Sequence, residues 1–256
     1  MELLVADVVQ RFYGFLWPML RISAMMLVAP VLSQNAMNVR LRVLLAVVLT
    51  WLIFPLYDWP RLDPTSAAGL LEVANQVLIG ATMGLMLQVV VAALVVAGQA
   101  ISGSMGLAMA NMIDPNVGNV PVVAQVLIIM ATLIFLGAGG HALLFALVLQ
   151  SFEVLPIGVT VLDQAHWGQL LAWSGMMFTG AVLLALPVLV TLLFINVGLG
   201  VVTRAAPSLN IFAVGFPAMI VAGFVVFMLS LDSMAGRMQW LWSQGFFVAR
   251  RWAGLD

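Results

Sequence analysis

Lysine and cysteine are both missing from this sequence, and charge of either sign is scarce. Nine arginines and ten carboxylates are spread over 256 residues, so charged side chains make up only 7% of the chain. A water-soluble domain of ordinary composition carries about a quarter. The solvent for most of this chain is therefore lipid or other apolar protein, as the 64% content of hydrophobic residues also requires. Without cysteine there are no disulfides and no thiolate chemistry, which leaves the compartment open. A net charge of -1 argues against both a polybasic lipid anchor and a nucleic-acid partner. A zinc site would have to recruit carboxylates to His141 or His166; none stands at helical ligand spacing beside His141, and Asp163, three residues before His166, falls with it in the loop 159–169. No phosphate-binding or dinucleotide fingerprint is present. Gly103-Ser104-Met105-Gly106 has its serine in the wrong place for an intramembrane serine protease. The chain reads as a non-enzyme with no cofactor and no metal.

What is present is a series of long apolar segments. They run at about 12–32, 43–56, 71–105, 122–155, 170–203 and 211–231, and an amphipathic tail follows from 232 to 256. The expected fold is an all-α polytopic membrane protein, with about six long, kinked hydrophobic helices plus a C-terminal amphipathic helix. The acidic N-terminus lacks the basic start of a cleaved signal, so the first helix is expected to direct insertion. Residues 71–105 would reach about 50 Å as one helix, against a bilayer core of about 30 Å. Gly137-Ala138-Gly139-Gly140 predicts a break in the fourth segment, and Pro187 predicts a kink in the fifth. Gly215-Phe216-Pro217 is expected to interrupt the sixth. Arginines in the odd loops place those loops in the cytoplasm, although the C-terminal arginines oppose that orientation.

A few polar and small residues stand out against this background. Arg21 lies near the middle of the first segment, where insertion costs about 2.5–3.5 kcal/mol. It must face protein or water, either as a structural group or as a group acting on a transported species, with Glu72 and Asp114 as possible partners. Gly80 and Gly84 form a small-xxx-small pair suited to helix contact. Gln88 and Gln99 share one helix face and suggest a wet seam or an interhelix hydrogen bond. Between the third and fourth segments lies an apolar break, Met105 to Pro121, rich in methionine and in turn formers. Backbone of that kind is tolerated at membrane depth where protein buries it or where it lines a cavity.

Several runs carry a resemblance to a known family. They are Trp17-Pro18-Met19-Leu20-Arg21, Ala29-Pro30-Val31-Leu32-Ser33, Met105-Gly106 through Asp114-Pro115, and Ser151-Phe152-Glu153-Val154-Leu155-Pro156-Ile157-Gly158. Most specific is Ala206-Pro207-Ser208-Leu209-Asn210-Ile211-Phe212-Ala213-Val214-Gly215-Phe216-Pro217. Together they resemble the FliR family of flagellar type III export-gate subunits, over essentially the whole chain. A homologous subunit of a virulence secretion system and a small-solute secondary transporter are the alternatives. The resemblance implies a multi-pass protein of the bacterial inner membrane, within the flagellar basal body. It also implies a hetero-oligomer with FliP-like and FliQ-like subunits and an FlhB-like export subunit, passing unfolded flagellar proteins. By the same resemblance residues 1–158 form a FliP-like half, 159–231 a FliQ-like hairpin and 232–256 the tail. The loop 106–121 then becomes the channel's plug, with Met105, Gly106, Met109, Asn111, Met112, Ile113, Asp114, Pro115, Val117 and Gly118 as gate residues. Gly80, Gly84, Gln88, Gln99, Pro207, Phe212, Gly215, Phe216 and Pro217 are expected to serve subunit packing.

Overall fold

The computed structural model describes residues 2–31, 38–107, 121–159, 162–205 and 215–255. Every regular element among them is helical. Helix α1 covers Glu2–Val28 and α2 covers Val39–Ile53, followed by a 3₁₀ turn at Phe54–Leu56. Helix α3 is Ala67–Ser104, α4 is Val122–Gly137 and α5 is Gly140–Val154. Then come α6 at Gln164–Ser174, α7 at Met176–Ala205 and α8 at Phe216–Trp252.

The helix starts follow from local chemistry. The Asn38 side chain accepts the Arg40 N–H at 3.2 Å and caps α2. The Ser66 hydroxyl accepts the Gly69 N–H at 3.0 Å at the head of α3. Just before it, Asp63 accepts the backbone N–H and the hydroxyl of Thr65, which holds its carboxyl below the usual range. The break expected at 137–140 is present: Gly139 takes a left-handed φ of 73°, and α4 and α5 meet at a 66° bend.

Other boundaries differ from the expectation. The tail is not a separate helix, because α8 runs 37 residues without a break. Beyond 232 the sequence changes its solvent preference but contains no proline, so the backbone has no reason to stop. Gly215-Phe216-Pro217 stands at the start of α8, with Phe216 its first residue, and the stretch before it lies outside the described residues. Pro217 sits in the first turn, where a missing N–H costs nothing. The fifth segment is two helices, divided at Gly175, and α7 continues through Pro187. Among the described residues, Val39–Leu56, Ala67–Ser104, Gln164–Ala205 and Pro217–Trp252 are long and apolar enough to cross a membrane, and the bent α4–α5 pair makes a fifth.

The chain forms two compact units. One comprises Met1–Val89, Gly139–Ser174 and Gln244–Asp256; the other comprises Val90–Ala138 and Gly175–Ser243. The first is built around Arg21, which is fully buried. Its Nε donates to Gln76 Oε1 at 2.7 Å, and its Nη2 donates to the Leu155 carbonyl at 2.7 Å. Nη1 donates to the Ser151 carbonyl and hydroxyl at 2.9 and 3.0 Å. The guanidinium carbon also lies 4.3 Å above the centre of the Phe152 ring. Gln76 passes the polar string on, donating to Glu72 Oε1 at 2.5 Å, and Glu72 accepts the Gly158 N–H at 2.9 Å. Glu72 is thus reached through Gln76, and Asp114 lies outside the described residues. With every guanidinium nitrogen bound by the chain itself, Arg21 is a structural cation.

In the second unit, Trp242 packs on Phe135 at 4.8 Å between ring centres and donates its indole N–H to the Ala131 carbonyl at 3.1 Å. Gly180 brings α7 against α8, since a Cβ there would lie 3.1 Å from Leu241.

Removing Arg21 strands several buried acceptors at once. Arg21→Leu is expected to destabilise the chain by at least about 3 kcal/mol. Gln76→Leu, which strands one guanidinium donor and one Glu72 contact, should cost about 1.5–3 kcal/mol. Denaturant titration of the chain in mild detergent measures both.

Candidate functional site

The apolar break between α3 and α4 is the segment that the sequence marks out for function. Met109, Asn111, Met112, Ile113, Asp114, Pro115, Val117 and Gly118 fall within 108–120, outside the described residues. Both ends of the segment are described, and each is built to hold a fixed position.

The first end is a glycine cap. Gly106 takes a φ of 82°, a conformation that costs other residues about 1–2 kcal/mol. Its N–H donates to the Gly103 carbonyl and the Leu107 N–H donates to the Ser102 carbonyl, both at 3.0 Å. This pair of bonds satisfies the last carbonyls of α3 and turns the chain off the helix axis. Met105, just before the turn, is fully buried. It is seated on α8 at Gly223, whose missing side chain makes the room: a Cβ there would lie 2.5 Å from Met105 Cγ.

The second end is Pro121, which caps α4 with φ -56° and ψ 144°; its carbonyl accepts the Gln125 N–H at 3.1 Å. The two stems meet where α3 crosses α4. A Cβ on Gly98 would lie 2.3 Å from the Ala124 Cα and 2.6 Å from its nitrogen. Backbone-to-backbone contact this close is possible only with glycine at 98. The segment between the stems thus leaves from, and returns to, a clamped base. Its anchors are apolar, and none of the residues forming them is charged.

The other sequence candidates fall in several places. Gly80 and Gly84, expected to face partner subunits, are buried within the chain against α1. Their Cβ atoms would lie 2.2 Å from the Arg21 carbonyl oxygen and 2.9 Å from the Ala29 nitrogen. The pairing motif was legible, but its partner is this chain's own first helix. Gln88 is half-buried with its amide oxygen unpartnered among the described residues, and Gln99 is exposed. Gly215 is buried, Phe216 opens α8 and Pro217 is exposed on its first turn. Pro207 and Phe212 lie outside the described residues. His141 stands exposed in the first turn of α5. His166 bonds Asp163 through Nδ1 at 2.6 Å and its own N–H at 3.0 Å, which lowers the Asp163 carboxyl pKa. No cluster of metal-ligating side chains occurs among the described residues.

Gly98, Gly223 and Gln76, the link between Arg21 and the expected Glu72, escaped the sequence reading. One signal existed for the glycines: inside a helix each costs about 1 kcal/mol relative to alanine, which calls for a packing reason. For Glu72 and Gln76, the signal was their spacing of four on one helix face.

Comparison with known proteins gives a consistent result. The model of the family described as bacterial export proteins, family 1, matches residues 12–245. The chain is 37% identical over 241 residues to the flagellar biosynthetic protein FliR of Pectobacterium carotovorum subsp. carotovorum, covering 94% of this chain and 92% of that one. It is 33% identical over 233 residues to the protein of that name from Escherichia coli strain K12, covering 91% and 89%. Similarity extends to Bacillus subtilis strain 168, at 29% over 235 residues, with 88% and 89% covered.

Two glycines near the C-terminal end of α3 should respond in opposite ways to the same change. Gly98→Ala drives a methyl into the α4 backbone and is expected to cost about 1–3 kcal/mol. Gly103→Ala meets nothing within 4 Å and should be neutral or stabilising by up to about 1 kcal/mol. Thermal unfolding in detergent distinguishes the two.

Proposed function

The chain belongs to family 1 of the bacterial export proteins, and from that premise we infer that it is a subunit of the flagellar type III export gate whose loop 106–121 closes the channel. The observation that carries this reading is the extent of the match, residues 12–245, together with relatives aligned over about nine-tenths of both chains. The apolar helices fit a multi-pass protein of the inner membrane within the flagellar basal body.

The finer assignments are proposals. FliP-like and FliQ-like membrane subunits and an FlhB-like export subunit would be its neighbours. Residues 1–158 would correspond to a FliP-like half, 159–231 to a FliQ-like hairpin and 232–256 to the tail. Helix α3, at about 57 Å for its 38 residues, exceeds a bilayer core of about 30 Å. That length suits a subunit whose helices continue into a larger assembly. Helix α7 supports the same reading, since Phe178, Leu193, Phe194 and Val201 are each more than half exposed. Surfaces of that kind need lipid or other subunits to cover them.

A channel that passes unfolded chains must still hold back ions. An apolar constriction does so by dewetting. Unbranched thioethers such as those of Met109 and Met112 repack around varied surfaces at little cost, whereas Met105, seated against Gly223, belongs to the fixed base. The clamped stem adds what a closure needs mechanically, a base that stays in place while the segment above it is displaced. Gly106 and Gly118 supply pivots, and the apolar side chains of Ile113 and Val117 supply the seal.

Expression of the chain in a non-motile strain of its host lacking the endogenous gene should restore swimming. Deleting 110–116 should leave assembly with the partner subunits intact and raise ion leakage across the inner membrane. An assembled deletion complex with unchanged conductance would sink the plug assignment. Failure of the intact chain to restore swimming would overturn the export role itself.

A further inference from the structure

We propose that Arg237 is the substitute donor for a carbonyl that Pro187 leaves unpaired, so that Pro187, Leu183 and Arg237 form one joint between α7 and α8. In an uninterrupted helix the N–H of residue 187 would bond the carbonyl of residue 183. Proline has no N–H, and its ring presses on that same carbonyl and turns it outward. Helix α7 nevertheless continues through Pro187, so the Leu183 oxygen needs a donor from elsewhere. Arg237 provides it: its Nη1 donates to the Leu183 carbonyl from α8.

Two independent features therefore meet at one atom. The sequence of α7 creates an orphaned acceptor, and the lone arginine in the middle of α8 is aimed at it. Both border a groove of about 420 Å³ lined by Leu183, Ser233, Gly236, Arg237, Trp240 and Leu241, in which no carboxylate competes for the guanidinium. The helices are already close beside it, where Gly180 lies against Leu241. The groove is open, but both helices are apolar enough to cross a membrane, and away from water a bare carbonyl and a bare guanidinium are each unfavourable, so the contact between them removes both penalties.

The joint predicts a specific coupling rather than a general loss of stability. Replacing Pro187 with alanine returns the N–H and lets Leu183 bond within its own helix, so Arg237 loses its task. Arg237→Leu in the parent chain should lower the thermal midpoint in mild detergent by about 5 °C or more. In the Pro187→Ala background, the same replacement should cost less than half as much, a difference that a double-mutant cycle isolates. Arg237→Lys, which keeps a donor on a long stem, should lose less than Arg237→Leu. The proposal is overturned if the two backgrounds lose equally, or if Arg237→Leu matches the parent. Where Arg237→Leu fails to accumulate, immunoblotting of membranes for the full-length chain decides. Recovery of the double variant supports the joint, and its absence overturns it.

Discussion

A guanidinium in a dry core must find acceptors for its N–H groups, and the arrangement of α1, α3 and α5 supplies them to Arg21. The acceptors come from two kinds of source. Gln76 offers a side-chain amide, while Ser151 and Leu155 offer backbone oxygens at the end of α5. The last carbonyls of a helix have no partner of their own and carry the negative end of its dipole. A cation placed there satisfies them and is itself stabilised. Glu72 completes the arrangement by bonding Gln76 and the Gly158 N–H, just beyond the same helix end. The polar string thus begins and ends at the turn that follows α5, and it fixes that turn to the C-terminal half of α1.

Such a string can form only if the helices come close enough for short side chains to reach. Glycine makes that possible. Gly80 lies directly on the Arg21 carbonyl, one turn from Gln76. In a chain bathed by lipid, burial of apolar surface gives helices little reason to prefer each other over the solvent. Close van der Waals contact at small residues and interhelical hydrogen bonds take over. The second unit repeats the device without charge, with Gly98 on the Ala124 backbone and Gly223 under Met105. Indole N–H groups add directional ties to helix carbonyls, as at Trp242.

What was legible in the sequence follows the range of the forces involved. Apolar segments and the Gly137–Gly140 break are local properties, and both appeared as expected. A buried arginine must be satisfied wherever it lies, so its structural role was legible too. Its acceptors were not, because they come from residues 55 and 130 positions away. Gly80 and Gly84 announced a close contact without saying with what, and the contact proved to be internal. The amphipathic C-terminal stretch is helical as expected but not separate, because a change of solvent preference need not interrupt a helix, and α8 runs straight through it. The gate assignment of 106–121 rests on resemblance, whereas the clamped stem of that segment is seen only in the geometry.

The sequence separation of Arg21 from its acceptors also has a meaning in time. A ribosome adds about 5–20 residues per second. Gln76 is made 55 residues after Arg21, and Ser151 130 residues after it. For a period on the order of ten seconds, the newly made α1 carries a cation with no acceptor from its own chain. During that interval water or the insertion machinery must solvate the guanidinium. Burial of the first helix therefore waits for the fifth, and the order of synthesis is not the order in which this core closes.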